Sequence, residues 1–508
     1  MNARKAASGR PPQMNARCAA LRTLCRMQAS GGYSNLTLDA VLKRDDIPDP
    51  RDRALLTTLV MGVVQRQTTL DYYIDRLVTP GTRLEDEVRV ILRLGLYQLM
   101  YLDRIPAHAA VSETVDLAPR RAAGLVNAVL RAYLRRGAEI ALPDPARDGV
   151  AAWLAVKYSF PAALCERLLC DYDAGRLDAM LSAMSREPEL TLRVNTLRCS
   201  REDYLGRLRE ALGGGVKAGT GGAAVADEAA GTAETGRAAG TGRAAGIGTA
   251  AGTGRAAGTG GESVMSGTAR PTPLSDAGIL LSGTTVPALP GFEEGDFIVQ
   301  DEASQLCVDA LDARPGMRVL DICSAPGSKS FGAAMYMKNE GRITCFDLHA
   351  SKLSLIERGA ARLGIGIIDT AAADGRVFIP ELDGAADRVL CDAPCSGYGV
   401  MAKKPEIRHK NPADASGLPD IQLAILENSS RYVREGGVLV YSTCTILRAE
   451  NEGVRERFLA AHPEFAPEPF CLGAGGEVSA PSGDIALAPD IHGTDGFYIA
   501  KFRRQTSV

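Results

Sequence analysis

Arg318-Val319-Leu320-Asp321-Ile322-Cys323-Ser324-Ala325-Pro326-Gly327-Ser328-Lys329-Ser330 decides the fold. The first six residues read as a strand, the next seven as a tight turn of small residues, and Phe331 to Met337 as a helix. Strand, small-residue turn and helix in that order is how a doubly wound sheet brings its backbone close to a nucleotide. The turn is not G-x-G-x-x-G, which disfavours a dinucleotide. Nor is it G-x-x-x-x-G-K-[ST], because Gly-Ser-Lys-Ser lacks the upstream glycine. Arg342 to Asp347 reads as a second strand. Its terminal acid lies about twenty residues past the turn, where such folds bind a ribose hydroxyl. An adenosine ligand without pyrophosphate fits this arrangement, and S-adenosylmethionine is the common one.

Two further segments carry chemistry. Asp392-Ala393-Pro394-Cys395-Ser396-Gly397 and Tyr441-Ser442-Thr443-Cys444-Thr445 each place a cysteine just past an apolar run, Arg388 to Cys391 and Gly437 to Val440. Ligands of open parallel sheets bind outside the carboxyl ends of the strands, so two thiols and Asp392 should converge on one crevice. Taken singly, each cysteine reads more readily as a buried structural thiol. As a pair at strand ends, flanked by Pro and Gly, they favour covalent chemistry on an electrophilic ring, such as carbon 6 of a pyrimidine. An unperturbed thiol is only a few per cent ionised at neutral pH, so a cation is expected nearby. Lys329 and the run Lys403, Lys404, Arg408, His409 and Lys410 are the candidates. Spacing does not decide which cysteine attacks.

With these motifs in this order, the chain resembles the RNA cytosine-5 methyltransferase family. The family's motifs run roughly D-x-C-A-A-P-G-G-K-T, D-A-P-C-S-G-x-G and Y-S-T-C-S with E-N-E downstream. Here they are Asp321 to Ser330, Asp392 to Gly399, and Tyr441 to Thr445 with Glu450-Asn451-Glu452. The departures are Ser324 and Ser328, where the family usually has Ala and Gly; Ser328 carries a Cβ where backbone approach matters. The likeness spans nearly the whole chain and is greatest to the bacterial branch that acts on 16S ribosomal RNA.

The resemblance implies a C-terminal α/β Rossmann-like, S-adenosylmethionine-dependent methyltransferase domain. It implies Cys444 as nucleophile, Cys395 in product release and Asp392 on the cytosine edge. Cysteine-first attack by Cys395 is the alternative, by analogy with DNA cytosine methyltransferases. For the cofactor it implies Cys323, Ser324, Ala325, Pro326, Gly327, Ser328 and Lys329 around the methionine end. Asp347 takes the ribose, Asp374 (after a strand at Ile365 to Ile368) the adenine amine, and Asp392 borders the methyl. Outside the resemblance, Asp374 reads as a plain Asp-Gly turn and Lys329 as a solvated helix-start lysine.

At 508 residues the chain should hold about three domains. Its 12 cysteines are scattered and form no C-x-x-C pair, which reads as free thiols in a reducing compartment. With five histidines no zinc site is expected, and no apolar run approaches the ~18 residues of a membrane span. The net charge of -3 hides an asymmetry: residues 1–137 hold 21 basic against 13 acidic residues, a net of +8. A basic module on a near-neutral chain is what attraction to phosphate requires. The first acid is Asp39, a transit-peptide-like bias, yet Met1-Asn2-Ala3-Arg4 recurs as Met14-Asn15-Ala16-Arg17. Residues 1–14 are therefore expected to be a disordered tail on a cytoplasmic, monomeric protein.

Residues 15–140 read as an all-helical bundle with breaks at Gly31-Gly32, Pro48 to Pro50, Pro80-Gly81 and Pro106, resembling a NusB-like RNA-binding domain. Residues 145–290 read as linker helices and a small α+β module of RNA-recognition type. In it Thr191 to Leu197 is a strand with Arg193 and Asn195 exposed. Residues 213–272 interrupt the module with Gly, Ala, Thr and Ser; Thr-Gly-Arg-Ala-Ala-Gly recurs at Thr235, Thr241 and Thr253. Such a composition is expected to be a disordered insertion. The methyltransferase domain is expected over 291–508, closed by an antiparallel last strand at Gly496 to Phe502, with the basic run Lys403 to Pro412 covering RNA at the crevice mouth. The expected activity is methylation of a cytosine of 16S ribosomal RNA at carbon 5. The alternatives are the same chemistry on transfer RNA, a non-catalytic RNA-binding assembly factor, and a thiol redox protein using Cys391, Cys395 and Cys444.

Overall fold

A computed structural model describes residues 15–30, 47, 49–212, 267–282, 286, 289–473 and 475–506. The tail 1–14, the break at Gly31-Gly32 and residues 213–266 of the insertion lie outside the described residues.

Among the described residues the N-terminal bundle comprises α1 (Ala16–Ser30), α2 (Pro50–Leu77), α3 (Asp86–Tyr101), α4 (Ala107–Leu117) and α5 (Arg120–Arg136). Prolines set its boundaries. Pro50 opens α2, where its missing N–H costs nothing, and the Asp49 carboxylate accepts from the Arg51 amide at 2.8 Å. Pro106 and Pro119 stand just ahead of α4 and α5. α3 runs through the core, with Ile91, Leu92, Leu94 and Leu96 fully buried; each such side chain contributes roughly 1.5–3 kcal/mol.

Three helices follow, α6 (Val150–Tyr158), α7 (Ala162–Leu169) and α8 (Ala174–Met184). They are more than connectors. Leu154, Phe160, Leu168 and Met180 share one apolar cluster with Tyr398, Met401, Ile407, Ile446 and Leu447, which follow the two cysteine motifs.

The small module is a four-stranded antiparallel sheet in the order β2-β3-β1-β4, from β1 (Leu190–Val194), β2 (Thr268–Pro271), β3 (Gly278–Ser282) and β4 (Phe297–Val299), with α9 (Arg201–Ala211) packed on it. Three expectations are corrected here. The stretch 268–271, assigned to the insertion, is a strand paired with β3. The stretch 297–299, assigned to the methyltransferase domain, is the strand that completes this sheet. Arg193 and Asn195 are buried, at 1% and 0% exposure. The Arg193 guanidinium lies over the Tyr336 ring at 4.8 Å, and the Asn195 amide donates to the Gly295 and Leu363 carbonyls. That part of the sheet is covered by the neighbouring domain and presents no face to RNA.

After α10 (Glu302–Leu311), strands and helices alternate: β5 (Arg318–Asp321), α11 (Ser328–Tyr336), β6 (Arg342–Asp347), α12 (Ala350–Leu363), β7 (Ile368–Ala372), β8 (Ala386–Asp392), α13 (Leu418–Arg431), β9 (Val433–Thr443) and α14 (Glu452–Ala461). β10 (Phe465–Pro467), a β11–β12 hairpin (Phe470–Leu472, Val478–Ala480), β13 (Asp484–Leu487), α15 (Pro489–His492) and β14 (Phe497–Arg504) complete the chain. The large sheet has the order β10-β14-β9-β8-β5-β6-β7, with β13 also on β14. β7 through β9 are parallel and β14 is antiparallel to β9, as expected for the last strand. The third strand begins at Ile368, where the sequence reading ended it. Strand order reverses between β5 and β8, so the crevice opens at their carboxyl ends.

Candidate active site

The turn after β5 and the ends of β8 and β9 meet at that switch point. Gly327 has φ +104, a conformation open to glycine, and a Cβ there would lie 2.6 Å from the Phe331 ring. This lets the turn fold tightly onto the start of α11: the Gly327 amide donates to the Ser324 carbonyl at 2.7 Å, and the Ser324 hydroxyl to the Phe346 carbonyl at 2.9 Å. A turn with so little side-chain bulk leaves room for a ligand against its backbone. Cys323 is inside it, and burial holds its thiol well above the ordinary range. Asp347 caps β6, its carboxylate accepting from the His349 amide at 2.9 Å. The Ala373 amide donates to the Asp347 carbonyl at 3.1 Å, which sets the Asp374 loop beside it. Asp374 is engaged by the Arg376 guanidinium through hydrogen bonds of 3.0 and 2.6 Å and by the Arg376 amide at 3.0 Å, which pull its carboxyl down to about 2. The donor set (a small turn and two strand-end acids) fits an adenosine-containing cofactor.

The two thiols converge. Cys395 Sγ and Cys444 Sγ are 3.3 Å apart, although 49 residues separate them in sequence. Asp392, at the end of β8, accepts from Lys329 Nζ at 2.6 Å and from the Ser442 hydroxyl at 2.7 Å. Lys329 is therefore no solvated helix-start lysine; its side chain is 12% exposed and spans the turn and the cysteine motifs. The thiols are electrically unequal. The contact with Cys395, helped by Lys329 and Lys404, holds Cys444 below the ordinary thiol range against the opposing effect of burial. The same contact, burial and the charge of Glu450 push Cys395 well up. Cys444 is the sulfur suited to carry negative charge.

Other expectations fail for physical reasons. Of the basic run, Lys403 is spent on Asp301 and Asp495. Arg408 is fully buried, donating to the carbonyls of Gln65, Ser159 and Met401 at 3.1, 3.3 and 3.1 Å, with Phe160 beneath it at 4.2 Å. His409 Nε2 lies 3.0 Å from the Val64 carbonyl oxygen. Arg408 and His409 thus anchor the catalytic domain to α2 and the end of α6, whereas Lys404 acts on Cys444 and Lys410 Nζ lies 3.5 Å from the Ser396 carbonyl beside Cys395. Cys391 is buried and its thiol is pushed up to about 12, so it is no partner for a redox pair. Sequence reasoning left Ser442 and Glu450 without roles. The Y-S-T-C-T and E-N-E spacings were their only signals.

Family models agree with this arrangement. One described as 16S rRNA methyltransferase RsmB/F matches residues 308–503, one described as the NusB family matches 14–135, and a ferredoxin-like domain of RsmF/B-like methyltransferases matches 160–223. The probable ribosomal RNA small subunit methyltransferase B of Bacillus subtilis is 33% identical over 96% of this chain and 98% of its own. The ribosomal RNA small subunit methyltransferase B of Pseudomonas putida is 33% identical over the same shares. Among solved structures, that of PH0851 superposes with a TM-score of 0.70 at 24% identity, covering 98% of this chain and 100% of the other, which shows the shared fold. No described helix is long and apolar enough to cross a membrane, and no cluster of three or more metal-ligating side chains occurs among the described residues. Likeness at this level over nearly the full length of both chains places the protein in the 16S rRNA methyltransferase RsmB/F family, and with it among the RNA methyltransferases.

Proposed function

We propose that the protein methylates carbon 5 of a cytosine in 16S ribosomal RNA, by way of a covalent bond between Cys444 and carbon 6. The observation that carries this reading is the 3.3 Å contact of two unequal thiols beside Asp392. The names of the full-length relatives support the RNA. Cys323 to Lys329 would hold the methionine end of S-adenosylmethionine, Asp347 the ribose, Asp374 the adenine amine, and Asp392 would border the methyl. When bound, that cofactor supplies an electrophilic methyl group.

The remaining work falls to the chain. Carbon 5 of cytosine is too weak a nucleophile by itself. Addition of the Cys444 thiolate to carbon 6 forms a carbon–sulfur bond and makes the ring an enamine, so that carbon 5 becomes nucleophilic. Asp392 would accept from the exocyclic amine edge, and Lys329, held on Asp392 at 2.6 Å, would offset the negative charge that the adding thiolate brings onto the ring. After transfer the carbon 5 proton leaves, the 5,6 double bond re-forms, and the thiolate is expelled with Cys395 assisting. Carbon 6 is out of reach within a stack, so the cytosine must be flipped out or single-stranded.

Methyl transfer from labelled S-adenosylmethionine to unmodified 16S ribosomal RNA and, in parallel, to bulk transfer RNA tests the proposal. Label recovered as 5-methylcytosine in the 16S RNA is expected; label in transfer RNA alone would overturn the substrate and keep the chemistry. Cys444→Ala should lose transfer by roughly 10⁴-fold or more. Cys395→Ala should accumulate as a covalent protein–RNA adduct. A trapped Cys444→Ala protein would reverse the two roles.

A further inference from the structure

Glu450 is a buried carboxylate that the proposed chemistry leaves idle. It is 1% exposed. Its carboxylate accepts from the Ser396 backbone amide at 2.9 Å, from Gln422 Nε2 at 2.8 Å and from the Thr445 hydroxyl at 3.3 Å. All three are neutral donors. Burying a carboxylate on neutral donors is costly, and a fold needing only polar satisfaction at this point would be served by an amide.

The partners are informative. Ser396 follows Cys395 directly, and Thr445 follows Cys444. Their hydroxyls also meet at 2.7 Å. One side chain therefore grips the segment of one thiol by its backbone and the segment of the other by its hydroxyl. The surroundings fix the clamp in turn. The Tyr441 hydroxyl donates to the Glu450 carbonyl at 2.6 Å, and Asn451 accepts from the Thr443 hydroxyl and donates to the Thr445 carbonyl at 3.0 Å. Gly399 and Gly496 bring the same loops together from the other side. The Gly399 amide donates to the Cys444 carbonyl at 2.9 Å, and a Cβ on Gly399 would lie 1.8 Å from the Gly496 carbonyl oxygen.

We propose that Glu450 is a positioning residue that clamps the two cysteine segments at sulfur contact and divides their labour, with Cys395 as the hydrogen donor and Cys444 as the attacking sulfur. The inference rests on the two-thiol reading above. The Glu450 carboxylate accepts from the amide that follows Cys395 and its charge pushes that thiol up, whereas Lys329 and Lys404 draw Cys444 down; Lys410 Nζ, 3.5 Å from the Ser396 carbonyl, is a cation on the Cys395 side. A fixed anion behind one sulfur and cations near the other keep the proton on Cys395.

The test compares Glu450→Gln with the parent protein by alkylation with iodoacetamide across pH, without RNA, with each cysteine followed separately by peptide mass mapping. In the parent, Cys444 should react first. In Glu450→Gln, which keeps the shape and removes the charge, the Cys444-to-Cys395 rate ratio should fall about tenfold, the equivalent of about one pH unit between the thiols. Single-turnover methyl transfer should fall by about 10²-fold, with affinity for S-adenosylmethionine unchanged by equilibrium dialysis. Unchanged selectivity and rate would overturn the proposal. Thr445→Val, which removes one grip and keeps the volume, should narrow the ratio in the same direction, and decides the matter if Glu450→Gln does not fold. Because the alkylation needs no RNA, a parent protein that shows the selectivity but methylates no cytosine would overturn the activity and leave the clamp standing.

Discussion

Lys329 and Arg408 are both held inside this molecule, and they are treated in opposite ways. Lys329, in the crevice, sits on Asp392 at 2.6 Å, and that anion holds its proton more firmly than the ordinary range despite the burial. Arg408, at the junction of the bundle and the catalytic domain, hydrogen-bonds to three carbonyls, and burial pushes its guanidinium down to about 9. Its Nε has no hydrogen-bond partner among the described residues. A cation paired with a carboxylate fixes an electric field; a cation on carbonyls fixes a distance between segments. In the proposed mechanism the crevice needs the first, because a sulfur carries charge there. The junction needs only the second.

The largest effect that would break this contrast is at Lys329. Lys329→Met leaves Asp392 without its counter-ion and removes a cation from Cys444. Methyl transfer should fall by roughly 10²–10³-fold. The sign of the pH effect follows from the lowered Cys444 thiol. The parent rate should persist below the ordinary thiol range and fall as pH drops and the sulfur protonates. In Lys329→Met that acid limb should move to higher pH, as single-turnover rates across pH would show. An unmoved limb would mean that the contact with Cys395 alone activates Cys444.

Arg408→Met should act on stability rather than rate. It leaves the Ser159 and Met401 carbonyls short of a donor, a cost of roughly 1–3 kcal/mol, readable from urea unfolding. The rate per folded molecule should stay within about twofold, since the side-chain hydrogen bonds of Arg408 go to Gln65, Ser159 and Met401 and none reaches the cysteines or Asp392. A large rate loss with native stability would mean that the junction also serves the chemistry.

The smallest effect sharpens the picture inside the crevice. Asp321 is 2% exposed, accepts from the Ser330 hydroxyl at 2.5 Å, and has one carboxylate oxygen without a partner. Burial pushes its carboxyl up to about 7. A group whose folded value is raised favours the native state fully below its unfolded value near 4, and that contribution is lost as pH rises through about 7. Asp321→Asn should therefore gain in melting temperature relative to the parent between pH 5 and pH 8, by a few degrees. A constant difference across that window would show that Asp321 is ionised throughout.

How much of this was legible in the sequence depended on whether the partners were local. The segment Arg318 to Tyr336 and the two cysteine motifs could be read because their glycines, prolines and small residues allow few backbone paths. The convergence of Cys395 and Cys444 followed from strand direction alone. Arg193 and Asn195 misled because a polar residue in a short strand reads as exposed until its partners are known. Those partners, Tyr336 and Leu363, lie more than a hundred residues away in the chain. Arg408 misled because charge suggests a surface, whereas α2 and the end of α6 supply carbonyls that bury it. β2 was hidden because Thr268-Ala269-Arg270-Pro271 has no apolar alternation; its pairing with β3 makes it a strand. Glu450 stood in a motif that could be seen, but its three donors come from three separate segments.

The apolar cluster shared by α6–α8 and the loops after the cysteines bears on how the protein can be cut. Domain boundaries drawn from sequence suggest that a fragment beginning at 291 would be an independent enzyme. Such a fragment would turn Tyr398, Met401, Ile446 and Leu447, each under 5% exposed in the whole chain, toward water in one contiguous patch. It would also strip the guanidinium of Arg408 of two of its carbonyls. The smallest soluble catalytic unit should therefore begin before α6, near residue 145. Heating that unit should give one cooperative transition across helices and sheet, because its core does not respect the boundary between them.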